Sequence, residues 1–378
     1  MKIVIAPDSF KGCLRSPKVC EALKSGIIKS NPFAEIVSIP MADGGEGTVE
    51  AAVAATGGSI RKVEVCGPLG KSVTAEFGLL GGQSTAIMEM ASASGIELVP
   101  KGKLNPLKAT TYGTGEILRE ILATDVKKIV IGIGGSATVD GGSGMASALG
   151  YGLFAKDGRA LPKYCAGGDL DKLFSIDDSA VLSRLREVEI ICACDVTNPL
   201  LGKNGAARIF GPQKGATPEM VEALESNLAN YASVLIREGF IDTVENPGDG
   251  AAGGLGAGLR AFCNAKIESG AKLMIEISGL ERHLLDADLL ITGEGCTDAQ
   301  TGGGKLCSVL AHAAREKNVP VVLVSGALKG NPEELDGLFA ATYSIARGPC
   351  SLEEAIASAE ENLYLAGKNI AGLLKSFR

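Results

Sequence analysis

The chain has 378 residues, 46% of them hydrophobic and 21% charged, with a formal net charge of −7. That composition belongs to globular proteins long enough for two ordinary domains and excludes a disordered or collagen-like chain. Lys and Arg nowhere gather into a track that would neutralise a nucleic-acid backbone, and no window approaches the roughly 20 apolar residues that span a bilayer, so neither nucleic acid nor membrane is an expected partner.

The elements follow from the spacing of apolar residues. "KIVIAP" (2–7) predicts a strand, and "SPKVCEALKSGIIKSN" a helix with Ser16 as N-cap and Pro17 at its first position. "EIVSIP" (35–40) is a second strand, followed by a helix in "EGTVEAAVAATGG" that Gly57 closes. "KVEVCGP", "SVTAEFGLL" and "TAIMEMA" lie close together across Gly-rich turns, as antiparallel pairs do. Further strands are expected at 128–133, 150–155, 188–194 and 271–277. "DLLITG" (288–293), "PVVLVSG" (320–326) and "LFAATYSI" (338–345) complete the strands, with helices near 305–317, 331–337 and 351–374. The alternation predicts an α/β protein. A flavodoxin/Rossmann-like parallel-sheet domain comes from 1–62 plus 284–378, a mixed α/β domain is inserted at 63–283, and the active site is expected in the interdomain cleft.

Chemistry is restricted by what is scarce. There are two histidines, His283 and His312, both in helix-like sequence, and no tryptophan. Ten scattered cysteines contain no CxxC pair, the pattern of reduced, mostly core thiols in a cytoplasmic protein. The N-terminus lacks the pattern of a signal peptide. Catalytic groups must therefore come from carboxylates, lysines and backbone amides.

Residues 132–144, "GIGGSATVDGGSG", satisfy a dinucleotide fingerprint as Gly132-x-Gly134-x-x-Ala137. The acidic residue such a site wants about twenty residues on would be Asp157, which sits in "AKDGRA", a hairpin-turn sequence. An NAD(P)-dependent oxidoreductase acting on a small hydroxy acid stays open as the alternative. A Walker A loop fails, because "QTGGGKL" (300–306) lacks both the leading Gly and the Ser/Thr. Six loops, all but 249–256 following expected strands, combine Gly with a carboxylate or Lys: "APDSFKG" (6–12), "PMADGGEGT" (40–48), "GIGGSATVDGGSG", "CDVTNPLLG" (194–202), "DGAAGGLG" (249–256) and "TGEGCTDAQTGGGK" (292–305). At strand carboxyl ends, glycine allows close approach to phosphate, while carboxylates hold Mg2+ or accept a hydroxyl proton. Together they describe a phosphoryl-transfer site.

"IAPDSFKG", "PMADGGEGT", "TYGTGE" (111–116), "GIGGSAT" with the following "DGG" and "GM", "CDVTNPLLG", "FGPQKGA" (210–216), "GAAGGLG" and "ITGEG" resemble, in this order, the bacterial type of glycerate kinase. The resemblance runs from residue 3 to about 330. It implies transfer of the γ-phosphoryl group of ATP to D-glycerate with Mg2+, and it favours 2-phosphoglycerate over the 3-phospho product. The family usually has Arg after "GEG", where this chain has Cys296; Lys305 is the nearest cation in sequence to replace it. Thr297 stands where an aliphatic residue is common, and Val139 where Asn is common.

On this reading Asp195, Lys11, Asp8 and Asp43 are the catalytic candidates, with Asp195 the leading base or metal ligand. Gly134, Gly135, Ser136, Gly293, Glu294 and Lys305 are candidates for holding the nucleotide. Ser9, Asp43, Arg208 and Lys214 are candidates for the substrate, and Asp195 and Asp298 for Mg2+. The expected partners are glycerate and ATP; a homodimer is also held open.

Overall fold

The computed structural model describes residues 1–298, 305–329, 335 and 337–376. Its strands are β1 (Lys2–Ile5), β2 (Glu35–Ser38), β3 (Ser59–Cys66), β4 (Ser72–Leu79), β5 (Thr85–Glu89), β6 (Lys128–Gly132) and β7 (Gly152–Ala155). They continue with β8 (Leu173–Asp177), β9 (Glu189–Ala193), β10 (Lys266–Glu268), β11 (Leu289–Thr297), β12 (Val321–Leu328) and β13 (Ala341–Ser344). The chain divides into two compact units, Met1–Asp43, Glu50–Gly57 and Ala271–Arg378 in the first, Gly44–Val49 and Gly58–Gly270 in the second. No helix among the described residues is long and apolar enough to cross a membrane.

The first unit is a parallel sheet in the order β13-β12-β11-β1-β2. In that unit's own chain order this is 2-1-3-4-5, the flavodoxin-like arrangement, whose order reverses between β1 and β11. Strands covered on both faces read as unbroken apolar runs, and Ile3, Val4, Ile5, Leu290 and Ile291 are all fully buried. The helix Ser16–Ser30 buries Val19, Leu23 and Ile27, spaced by four residues. It packs tightly on the helix Ala359–Ser376. A Cβ on Gly26 would lie 1.9 Å from the Tyr364 carbonyl oxygen, and one on Gly367 2.3 Å from that of Leu23, so reciprocal glycines set the approach.

Three expectations need correction here. Ser16 is the first helical residue and not the cap. Its hydroxyl donates to the Pro7 carbonyl at 2.7 Å and accepts from the Met41 amide at 3.0 Å, tying the ends of β1 and β2 together. Residues 271–277 are helical, within Gly270–Ser278. The buried Ala271, Met274 and Ile275 also fit helical spacing, which a short apolar run cannot distinguish from a strand. The expected helix at 351–374 is two helices, Leu352–Ala357 and Ala359–Ser376, the first opened by a Ser351/Glu354 capping box. The helix expected at 331–337 lies mostly outside the described residues.

The second unit centres on a mixed sheet, β10-β9-β6-β5-β4-β3. The β3–β4 and β4–β5 pairs are antiparallel, as the Gly-rich turns predict, and β5, β6, β9 and β10 run parallel. The pair β7–β8 stands apart as an antiparallel ribbon. Much of the glycine in this unit serves backbone packing. On the helix Ala251–Cys263, a Cβ at Gly253 would fall 2.0 Å from the Thr138 carbonyl oxygen, and one at Gly258 2.2 Å from that of Gly141.

Candidate active site

In an open parallel sheet, ligands bind beyond the carboxyl ends of the strands where the order reverses. In the first unit that point is the gap between β1 and β11, and a cavity of about 510 Å³ lies there. Pairing continues past β1, since the Ala6 amide donates to the Ile291 carbonyl and the Asp8 amide to that of Gly293, at 2.8 and 2.7 Å. Asp8 is thereby held beside Gly293 and Glu294. Glycine lets the backbone pack closely here: a Cβ on Gly293 would sit 2.3 Å from the Val324 carbonyl oxygen on β12, and one on Gly295 3.2 Å from the Phe10 Cα. Asp8, Ser9, Lys11, Asp43, Glu294 and Lys305 all line this cavity.

Its electrostatics are those of crowded acids. The Asp8 side chain, 9% exposed, is pushed up from 3.8 to about 7, first by burial and then by the Asp43 charge, with Glu294 adding to it. The Ser9 amide, donating to Asp8 Oδ1 at 2.6 Å, and the nearby Lys11 pull the other way. Lys11 itself is exposed, the disposition of a mobile point charge. Thr297, fully buried, places its Oγ1 3.0 Å from both Glu294 Oε1 and Ser325 Oγ. It ties the Glu294 carboxylate to Ser325 and was absent from the sequence-derived set. Its one signal was the departure from the usual aliphatic residue. Lys305 Nζ lies 3.1 Å from Asp298 Oδ1, so the cation near Cys296 has an acidic partner. The Gly-rich stretch 300–304 falls outside the described residues.

The second unit holds the remaining candidates. Gly134 and Gly135 are exposed after β6, with Gly135 at φ +75°. Lys214 is 1% exposed and donates to Ser136 Oγ at 2.6 Å and to the Thr138 carbonyl at 2.7 Å. Burial pushes its ammonium down to about 7. Lys214 therefore buttresses the 136–138 backbone from inside the unit. Arg208 is held by Glu222, its Nη2 2.8 Å from Oε2, with Glu225 at 4.0 Å. Asp195 is exposed after β9, and its Oδ1 accepts from the Gly270 amide at 3.1 Å.

Two carboxylates of the Gly-rich loops are structural. Asp140, fully buried, accepts from the Thr111 amide and hydroxyl, both at 2.8 Å, and from the Gly142 amide at 3.1 Å. Asp249 is bound through both oxygens to Arg260 Nη1 at 2.8 and 2.9 Å. The dinucleotide fingerprint also lacks its helix: β6 ends at Gly132, but the next helix starts only at Ser143. A pyrophosphate site needs that helix N-terminus at the glycine turn. Asp157 sits in the β7 turn, exposed and paired with Arg159. His312 is exposed and His283 half-buried, and six cysteines are buried free thiols.

A 2-1-3-4-5 sheet with acids and lysines converging at its switch point defines an α/β enzyme that handles phosphate esters or similar anions. Comparison with known proteins narrows this to one family. The Glycerate kinase family model matches residues 3–375. The glycerate 2-kinase of Escherichia coli K12 is 45% identical over 99% of this chain and 98% of its own, and a glycerate kinase of Bacillus cereus ATCC 10987 is 43% identical over the same shares. A crystal structure assigned as glycerate kinase 2 from Salmonella typhimurium LT2 has a TM-score of 0.89 at 46% identity, covering 100% of this chain and 98% of that one. The chain belongs to the glycerate kinase family, and its enzyme class is kinase.

Proposed function

We propose that the chain transfers the γ-phosphoryl group of ATP to the 2-hydroxyl of D-glycerate, giving 2-phosphoglycerate and ADP. The observation that carries the reading is the switch-point cavity, where Asp8, Asp43, Glu294, Lys11 and Lys305 meet, in a chain whose family match runs nearly end to end. The name of the Escherichia coli relative, glycerate 2-kinase, supports the choice of hydroxyl.

Asp8 is the proposed base. A carboxylate near pH 7 is ionised in a useful fraction of molecules and is basic enough to take a hydroxyl proton. As the O–H bond breaks, the proton passes to Asp8 and the glycerate oxygen attacks the γ-phosphorus, expelling ADP. Ser9 and Asp43 are proposed to orient the glycerate hydroxyls. Lys11 and Lys305 offset charge on the transferring group, which spreads over three oxygens in such reactions. In the second unit, the Gly134, Gly135 and Ser136 backbone is proposed to hold an anionic group of the reactants, kept in shape by Lys214. Arg208 would serve a substrate carboxylate only by leaving Glu222.

Magnesium fits the donor set. In the first unit Asp43, Glu294 and Asp298 offer hard carboxylate oxygens, and Asp195 is kept as a candidate ligand in the second. Magnesium is commonly taken on one or two carboxylates together with phosphate oxygens. When bound, it would neutralise charge between the phosphates. Incubation with ATP, Mg2+ and D-glycerate, followed by NMR of the product, tests the reading. A phosphorus coupled to the C2 proton is expected. A 3-phospho product would overturn the hydroxyl assignment, and no phosphorylated glycerate would overturn the function.

A further inference from the structure

The switch-point cavity has two chemically different ends. Acids and lysines make one. Phe10, Ile345, Leu352, Ala355, Ile356 and Ala359 line the other. Glycerate and a phosphate chain are hydrophilic throughout and gain nothing from aliphatic surface. Within that apolar end stands one polar side chain, Asn362, 6% exposed. Its Nδ2 donates to Ser358 Oγ at 3.2 Å, and among the described residues no group donates to its Oδ1. Buried acceptors nearly always have a donor, so an unmatched one on a cavity wall points to a ligand that brings its own.

We propose that this end is the nucleobase subsite, with adenine as its occupant. The inference rests on the reading that ATP is the phosphoryl donor. Adenine has two apolar ring faces to set against Ile345, Leu352 and Ile356, and an exocyclic amine to donate to Asn362 Oδ1. Small ligand sites commonly combine such walls with a few placed polar groups. Guanine carries a carbonyl oxygen where adenine carries the amine, so it would turn an acceptor toward an acceptor. A site built around one hydrogen bond rejects the analogue that leaves it unpaired. Asn362 thereby selects ATP over GTP, and the continuity of the cavity leads from the base to the acidic end.

Cys350 is an exposed free thiol lining the same cavity, which gives a readout independent of turnover. Alkylation at Cys350, followed by peptide mass spectrometry, is measured with ADP, GDP or inorganic tripolyphosphate. Protection by ADP and none by tripolyphosphate or GDP is expected. In kinetics, Asn362→Leu should raise the KM for ATP about tenfold, the worth of one hydrogen bond, narrow the preference over GTP, and leave the KM for glycerate in place. The lost Oδ1 has no donor among the described residues and the lost Nδ2 bond to Ser358 Oγ is worth no more than one ordinary hydrogen bond, so the melting temperature without ligand should fall by no more than a few degrees. Ile356→Trp, at an exposed rim position, should raise the KM for ATP by filling the subsite and serves as the second variant. Equal labelling with and without ADP, or an unchanged KM for ATP in both variants, overturns the inference. So does a rise in both substrates' KM together. If wild-type enzyme phosphorylates no glycerate from ATP, the functional reading fails instead, separately from these outcomes.

Discussion

Replacing Asp8 with Asn should stabilise the protein while removing activity. The ionised Asp8 carboxylate stands almost out of water beside Asp43 and Glu294, and its pKa rises from 3.8 to about 7. Holding it ionised costs the folded state on the order of 4 kcal/mol. The sign follows from proton binding. The folded form holds the proton more tightly than the unfolded chain, so stability declines as pH rises from about 4 to about 7 and then levels off. Asn carries no charge at any of these values and still offers an oxygen to the Ser9 amide. The variant should therefore melt higher at pH 8, with an advantage that shrinks as pH falls through 7 toward 4. At about 2–4 °C per kcal/mol for a unit of this size, even half the full effect is several degrees. Scanning calorimetry at pH 5, 6, 7 and 8, with EDTA and without nucleotide, measures it free of ligand stabilisation. Turnover should drop by about a hundredfold or more if Asp8 is the base. A melting difference that is the same at pH 5 and pH 8 would refute the account of Asp8.

Three further outcomes are expected. Asp195→Asn should lower kcat strongly with the melting temperature retained, since its side chain is exposed and Asn keeps an oxygen for the Gly270 amide; normal turnover would remove Asp195 from the mechanism. Gly26→Ala would push a methyl within 1.9 Å of the Tyr364 carbonyl and should cost about 1–3 kcal/mol or more, seen as a lower urea midpoint. An unchanged midpoint would mean the two helices separate freely. Lys214→Met removes a buried group whose pKa falls to about 7 on folding, so wild-type stability should rise with pH between about 7 and 10 while that of the variant should not; equal slopes of the urea midpoint against pH would refute the account of Lys214.

The sequence by itself determined the α/β class, the strands β1, β2, β11, β12 and β13, and the antiparallel run β3–β5. Buried parallel strands and Gly-rich hairpins leave local patterns, so neighbouring residues suffice to read them. The ordered motifs likewise sufficed for the family. Asp8, Lys11, Asp43 and Glu294 were legible as candidates because each follows a strand, and strand ends carry ligands. Residues 271–277 misled because apolar runs that short suit either helix or strand.

Only the tertiary structure decided which loop acids serve the fold. Asp140, Asp249, Asp195 and Asp8 all follow the same local recipe of acid beside glycine or loop. Asp140 is consumed chiefly by the amide and hydroxyl of Thr111, distant in the chain, and Asp249 by Arg260, brought back to it by the helix Ala251–Cys263. Lys214, a sequence candidate for the substrate, is a buried prop, while Thr297 and Asn362 gave little or no signal before their neighbours were known. The physical reason is that a side chain's charge state and availability depend on desolvation and on partners brought in by folding. Neither quantity is encoded in a residue's own neighbourhood along the chain.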